Sequence, residues 1–343
     1  MKKMVLIILL VLLAFYASAQ EEYHLKLLAV QGEDNFVGSD ADLYLELRKG
    51  DGRVFLDTFP LTKIDTQIST RFSKEITCKH FDLDCDDHDF IYTINAKSSI
   101  IGGPSAGAAI AALTTIAVKD LDYNQSISIT ATINSGGILG PVGGVKEKLE
   151  AASGAGLKKV IIAKGSAILS TGDNETFNLT KYAVENLSLQ LVELQNIDEV
   201  VLELTGVELN HKEVDITISP QYNLIMESLH DVLCQRSSQL MLRVENKSES
   251  IIRREGLSAN ASAKGDFYSA ASFCFGNNIQ LKREIFVNLS ENEIIAAFLS
   301  LGVKTSNLQK KLSEQEIGTI SDLQTMMIVK ERVNDVEEYL KLY

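Results

Sequence analysis

Glycine is concentrated in one stretch of this 343-residue chain, between Ile101 and Val145. Of its 22 glycines, eight lie there, together with two of only four prolines. Glycine reaches backbone conformations that other residues avoid, whereas proline fixes φ, so this stretch specifies its backbone path tightly. The residues are Gly102, Gly103, Gly107, Gly136, Gly137, Gly140, Gly143, Gly144, Pro104 and Pro141.

The first glycine-rich segment, residues 102–107, contains a candidate nucleophile. It leads into an apolar helix predicted over residues 108–118. Pro104 suits the first helical turn, which places Ser105 where free N–H groups and the positive end of the helix dipole gather. The backbone N–H groups of Ser105 and Ala106 are then candidates for stabilising an oxyanion. The alternative is a serine that only caps a helix.

The second segment starts at Gly140 and enters a helix predicted over residues 145–155. Steps of about 100° per residue place Lys148 beside the buried stripe and Lys146 on the opposite flank, paired with Glu150. Partial desolvation lowers the pKa of a lysine, as a lysine general base requires. The alternative is a lysine that snorkels at a domain edge. The buried stripe consists of Val145, Leu149 and Ala152.

Alternation of apolar and polar residues predicts strands before and after these segments. An Asp-Gly turn over residues 50–52 indicates a hairpin, and a helix is predicted over residues 66–77 with Asp65 as its N-cap. In the strand predicted over residues 125–133, Thr130 lies on the polar face; the alternative is that this threonine only faces solvent. The predicted strands are 24–30, 43–47, 54–56, 90–96, 125–133, 160–162 and 189–194, and a helix over 197–204 follows them.

After Gly206 the pattern becomes helical. We predict helices from Pro220 towards Glu245 and over residues 261–275, 291–301 and 323–342, with a boundary near residues 206–215. The expected architecture is an α/β (α+β) domain over residues 20–206, followed by a mostly α-helical region over residues 207–343. No chemistry is identified in the helical region.

The N-terminus is typical of a secretory signal peptide over residues 1–19. Lys2 and Lys3 precede an apolar run from Met4 to Tyr16, and small residues follow up to Ala19. This run is shorter than the ~20 residues that span a membrane. We therefore expect a secreted or cell-envelope protein outside the cytoplasm, which contacts a membrane only if the segment is retained.

Four cysteines fit an oxidising compartment. Pairing Cys78 with Cys85 and Cys234 with Cys274 is the simplest of three connectivities; four buried thiols are the alternative. Cys78 and Cys85 with the two nearby histidines match no common zinc template, so neither a metal nor a cofactor is expected. The net charge of −13 argues against nucleic acid as a partner.

Taken together, Gly-Pro-Ser-Ala-Gly at residues 103–107 and Gly-Pro-Val-Gly-Gly-Val-Lys-Glu-Lys at residues 140–148 resemble the proteolytic domain of the Lon protease family. The similarity covers residues 22–206, and residues 52–58 and 100–103 resemble a secreted, archaeal-type branch without an ATPase. It implies that Ser105 is the nucleophile, Lys148 the general base and Thr130 the residue that holds the lysine. It also implies polypeptide substrates, unfolded or flexible, and a homo-oligomer such as a hexamer.

Several positions differ from the family pattern. Gly102 replaces an aspartate before Gly-Pro-Ser, and Ala131-Thr132 replaces Gly-Glu after Thr130. Ile91 and Thr93 stand where Lon often has histidines, which argues against a histidine-based mechanism. The printed sequence contains no Gly-x-x-x-x-Gly-Lys-[Ser/Thr] motif, so ATP-independent cleavage is expected.

The main hypothesis is therefore an ATP-independent Ser/Lys endopeptidase that acts through an acyl-enzyme on Ser105. A first alternative is an inactive Lon-like domain that serves binding or assembly. A second is a serine esterase, because residues 103–107 also satisfy G-x-S-x-G and either His211 or His230 is a candidate base.

Overall fold

The computed structural model describes residues 22–32, 37–97, 102–134, 136–170, 176–209 and 219–341. The chain divides into two compact units between residues 213 and 214. Strands and helices mix in the first unit, whereas the second is helical, which confirms the predicted fold class. The predicted signal segment, residues 1–19, lies outside the described residues. In the described part of the chain, no helix has both the length and the apolar character of a membrane span.

The first unit contains both glycine-rich segments. Its strands are β1 (Glu22–Gln31), β2 (Val37–Lys49), β3 (Val54–Phe59), β4 (His88–Ala96), β5 (Ile127–Ile129), β6 (Thr132–Ile133), β7 (Leu139–Gly140), β8 (Lys159–Ala163), β9 (Ile168–Ser170), β10 (Thr176–Asn178) and β11 (Gln190–Leu194). Its helices are α1 (Ile64–His80), α2 (Gly107–Lys119), α3 (Val145–Gly154), α4 (Leu179–Leu187) and α5 (Ile197–Thr205).

Helix α2 lies at the centre of this unit. Its sequence is apolar on all sides, and it is buried from Gly107 to Ala117 between α1, β1 and β2. Such a helix is stable only inside a core. The four-stranded sheet β1-β2-β4-β3 contributes Leu25, Leu43 and Phe90 to the same core. A parallel sheet with the order β11-β8-β5 forms a further layer.

The predicted hairpin of β2 and β3 is wrong. Strand β4 lies between them, antiparallel to β2 and parallel to β3. In this order Phe90, Tyr92 and Ile94 of β4 are fully buried, whereas β3 lies at the edge of the sheet and exposes alternate residues. The Asp-Gly turn crosses the start of β4, where the Asp89 carboxylate accepts hydrogen bonds from the N–H groups of Asp51 and Arg53, both at 3.0 Å.

Two predicted boundaries near the glycine-rich segments also need correction. Helix α1 begins at Ile64 after an N-cap at Lys63, so Asp65 is inside the helix. Helix α2 begins at Gly107, which leaves Pro104 and Ser105 in a turn before the helix rather than in its first turn. The N–H group of Gly107 closes this turn by donating to the Pro104 carbonyl at 3.0 Å.

The strand predicted over residues 125–133 is interrupted. It forms β5 and β6, and Thr130 and Ala131 between them hydrogen-bond to different partners. Its polar face is not solvated, because Ser128 and Thr130 are both buried. The Ser128 hydroxyl donates to the Lys26 carbonyl at 2.7 Å, so a second layer covers this face.

The second unit consists of α6 (Pro220–Met241), α7 (Glu249–Ala263), α8 (Phe267–Val287), α9 (Glu291–Ser313) and α10 (Ile320–Lys341). The prediction of a single helix over residues 261–275 is wrong, because the helix is interrupted between α7 and α8. Gly265 has φ +76°, and the Asp266 side chain caps α8 by accepting from the N–H group of Ser269.

Both predicted disulfides are present. Cys78 at the end of α1 is bonded to Cys85, and Cys234 of α6 is bonded to Cys274 of α8. The first bond closes a loop with a sequence separation of 7, and the second one with a separation of 40. Since the first bond uses two of the four side chains weighed for zinc, those cysteines are not thiolate ligands.

The longer loop is expected to contribute more to stability. Replacing Cys234 and Cys274 together by serine should lower the free energy of unfolding by about 4 kcal/mol, because the bond restricts the unfolded chain in proportion to the logarithm of the loop length. Replacing Cys78 and Cys85 together by serine should lower the free energy of unfolding by about 2 kcal/mol. Chemical denaturation of the three proteins measures both, and equal stability of wild type and the Cys234/Cys274 variant would contradict this expectation.

Candidate active site

Ser105 lies in the turn that leads into α2 and is half-buried. Two hydrogen bonds fix this turn to the segment between β5 and β6. The Ser105 carbonyl accepts from the N–H group of Ala131, and the Ala131 carbonyl accepts from the N–H group of Ala108, both at 3.1 Å. The candidate nucleophile is therefore anchored to the residue directly after Thr130.

Thr130 and Lys148 are in direct contact. The Lys148 Nζ donates to the Thr130 Oγ1 at 3.1 Å, and both side chains are buried, with relative exposures of 3% and 1%. The backbone of Thr130 is itself fixed, because its N–H group donates to the Ile161 carbonyl of β8 at 2.9 Å. Ser105 and Lys148, which are distant in sequence, are thus both hydrogen-bonded to the short segment Thr130-Ala131.

Burial changes the acid–base chemistry of Lys148. Desolvation disfavours the ammonium form and lowers the pKa of Lys148 from 10.5 to about 8. About a tenth of the Lys148 side chains are therefore neutral amines at pH 7. A neutral amine accepts a proton, which a charged ammonium cannot do.

Lys146 provides an internal comparison, because it lies on the same helix. As the periodicity predicts, its side chain is 43% exposed, and its Nζ lies 3.8 Å from the Glu150 carboxylate. Val145, Leu149 and Ala152 form the buried stripe, also as predicted. Helical periodicity alone therefore separates a solvated lysine from a buried one two residues away.

The loop before Ser105 is held from the opposite side by the start of α1. The Asp65 carboxylate accepts from the N–H groups of Thr66, at 2.8 Å, and Gly103, at 3.1 Å. The Thr66 hydroxyl donates to the Gly103 carbonyl at 3.3 Å. This role of Asp65 and Thr66 was not predicted, and an acidic residue at a predicted helix start was the only signal for it in the sequence.

The other candidate groups lie as follows. Ile91 and Thr93 are on β4, at the positions where Lon often has histidines. His230 is on α6 in the second unit, where its Nδ1 lies 3.0 Å from the Asp231 carboxylate, and His211 lies outside the described residues. Within the described ranges, no three His, Cys, Asp or Glu side chains are grouped so as to hold a metal ion.

Residues 88–205 match the family model of the Lon protease (S16) C-terminal proteolytic domain. Over 128 residues, the chain is 27% identical to the archaeal Lon protease of Methanocaldococcus jannaschii, covering 37% of this chain and 18% of that protein. It is 44% identical over 64 residues to the archaeal Lon protease of Archaeoglobus fulgidus, covering 19% of this chain and 10% of that protein. It is 40% identical over 75 residues to Lon protease 2 of Bacillus subtilis, covering 22% and 14%.

The matched region contains Ser105, Thr130 and Lys148. Residues 88–205 are therefore similar to the proteolytic domain of the Lon protease family, which confirms the resemblance that the glycine-rich motifs predict. The chain corresponds to less than one fifth of the length of these three relatives, the largest share being 18%.

Replacing Lys148 by methionine should raise the free energy of unfolding by about 3 kcal/mol at pH 7. The folded-state pKa is lowered to about 8 from 10.5. Desolvation of the charged lysine therefore opposes folding below pH 8, and that cost disappears as the pH rises towards the unfolded-state pKa. The gain from Lys148→Met should accordingly be smaller at pH 10.

Urea unfolding at pH 7 and pH 10 measures this difference, with Lys146→Met as the matched control on the same helix. The control should change stability little, and equally at both pH values, because Lys146 is solvated. A Lys148→Met protein that is no more stable than wild type at pH 7 would show that the buried amine is not disfavoured.

Proposed function

We propose that this protein is a serine endopeptidase in which Ser105 is the nucleophile and Lys148 the general base. The observation that carries the proposal is the buried Lys148 amine, hydrogen-bonded to Thr130 beside the segment that anchors Ser105. A desolvated lysine and a serine in the turn before a helix, both bonded to the Thr130–Ala131 segment, supply the base and the nucleophile that acyl transfer requires.

In the proposed first step, neutral Lys148 accepts the proton of the Ser105 hydroxyl, and Oγ attacks the carbonyl carbon of the scissile peptide bond. The resulting oxyanion is held by the backbone N–H groups of Ser105 and Ala106. Those of Gly107 and Ala108 already donate within the protein, at 3.0 and 3.1 Å. As the C–N bond breaks, Lys148 returns its proton to the leaving nitrogen, and an ester on Ser105 remains.

In the second step, Lys148 takes a proton from water, and the hydroxide attacks the ester carbonyl. As the tetrahedral intermediate collapses, Lys148 returns its proton to Ser105 Oγ, and the carboxylic acid that is released loses its own proton to water. Thr130 holds the lysine in position through both steps, because its hydroxyl accepts a hydrogen bond from Nζ. The same amine thus alternates between base and acid, and no other titrating group is needed.

We propose unfolded or flexible polypeptides as substrates, cleaved without ATP. The absence of a nucleotide-binding Gly-Lys-[Ser/Thr] motif from the printed sequence supports this proposal. We also propose that the protein acts outside the cytoplasm, which is supported by the charged and apolar pattern of residues 1–19 and by the two disulfides.

Ser105→Ala and Lys148→Ala should each abolish cleavage of dye-labelled unfolded casein, because each removes one partner of the proton transfer. Lys146→Ala is the matched control and should retain wild-type turnover, with or without added ATP. Circular dichroism establishes that each variant is folded. Undiminished turnover by folded Ser105→Ala would eliminate the proposed mechanism.

The rate of cleavage should rise with pH and level off above an apparent pKa of about 8, because only neutral Lys148 accepts the serine proton. The Lys146→Ala protein should give the same curve. A profile that rises near the ordinary pKa of histidine instead would indicate an imidazole base, as in the esterase alternative.

A further inference from the structure

One cross-strand pair near the end of the β1–β2 ladder contacts the helix that carries Lys148. Val30 of β1 and Gly38 of β2 are opposite each other in the antiparallel register. The strands that carry them, β1 and β2, contact the first turn of α3 at two different positions. This pair is distant in sequence from both the serine and the lysine segments, and the proposed reaction assigns it no role.

Gly38 permits a close approach of strand β2 to helix α3 that no other residue type allows. A Cβ built on Gly38 would lie 1.8 Å from the Glu147 carbonyl oxygen, 2.6 Å from its carbonyl carbon and 3.1 Å from the Ala151 Cβ. Contacts under 3.0 Å are not tolerated, and the closest atoms here are backbone atoms that no side-chain rotation can move. The strand is therefore packed directly against the helix backbone next to Lys148.

Val30 contacts the other end of the same helical turn. A Cβ on Gly144, the N-cap of α3, would lie 2.6 Å from the Val30 Cγ1, and Gly144 has φ +63°. The carbonyl of Gly144 accepts the N–H group of Lys148 at 3.0 Å, which closes the turn. The pair thus contacts Gly144, whose carbonyl accepts from the Lys148 N–H group, and Glu147, the residue before Lys148.

We propose that Gly38 and Val30 are positioning residues for Lys148: together they fix the first turn of α3 at the depth at which the amine meets Thr130. This inference rests on the proposed function only for its effect on catalysis. The contact between Lys148 and Thr130 spans 3.1 Å, so a backbone shift of about 1 Å is enough to break it. Water would then reach the amine.

The test compares Gly38→Ala with Gly154→Ala. Gly154 lies at the end of the same helix, and an added Cβ there meets nothing within 4 Å, so this control adds the same methyl group without a clash. The direct readout is the NMR titration of the lysine side chains in isotopically labelled protein, with the Lys148 signal assigned by its loss in Lys148→Met. Gly38→Ala should raise the pKa of Lys148 by about 1 as solvation is restored, and Gly154→Ala should leave it unchanged.

Cleavage of labelled casein is the second readout. Gly38→Ala should reduce kcat by roughly 10- to 100-fold with a smaller change in KM, since misplacement of a catalytic group by about 1 Å has effects of this size. The rising limb of its pH profile should move upwards together with the Lys148 titration. If Gly38→Ala fails to fold, Val30→Ala replaces it, and a smaller shift in the same direction is expected.

The outcomes separate this inference from the proposed reaction. If the wild-type protein cleaves nothing but the Lys148 titration still shifts in Gly38→Ala, the peptidase proposal fails and the positioning role stands. If a folded Gly38→Ala protein titrates and cleaves like wild type, the positioning role is overturned whatever the reaction is. A folded Val30→Ala protein that titrates like wild type would overturn it equally.

Discussion

The interaction on which the rest of the site depends is the burial of one lysine amine against one threonine hydroxyl. Lys148 loses its contact with water and retains the Thr130 Oγ1 as a hydrogen-bond partner, and the loss of solvation lowers its pKa to about 8. A buried amine is unfavourable for folding, because the protein must either desolvate the charged ammonium or keep the amine deprotonated. Such a cost is characteristic of functional sites rather than of scaffold positions.

The scaffold holds this amine in place through backbone contacts. Helix α2 is buried on most of its surface and begins after a turn in which the Ser105 carbonyl is bonded to Ala131. Helix α3 is held through glycine contacts that leave no space for a side chain. Because the serine and the lysine each reach the Thr130 segment through short contacts, their relative position depends little on flexible side chains elsewhere, as preorganised catalysis requires.

The parts of the site that depend on local periodicity were predictable. The stripe of Val145, Leu149 and Ala152 determines which lysine is buried, and the pairing of Lys146 with Glu150 is an interaction within one helix. The contacts that cross the fold were not predictable. The partner of Asp65 is 38 residues away, and the carbonyl that satisfies Ser128 belongs to Lys26, 102 residues away. The prediction of strand order failed for the same reason. The position of β4 between β2 and β3 depends on which strand is buried at the centre of the sheet, and the sequence of a turn does not determine that.

We propose that Lys148 activates Ser105, and covalent labelling with an electrophilic peptide phosphonate tests this proposal. We predict that peptide mass spectrometry finds the adduct on Ser105, that Lys148→Met slows its formation by at least about 100-fold, and that Lys146→Met leaves the rate unchanged. An adduct on another residue, or labelling of Ser105 at the same rate in folded Lys148→Met protein, would contradict this claim.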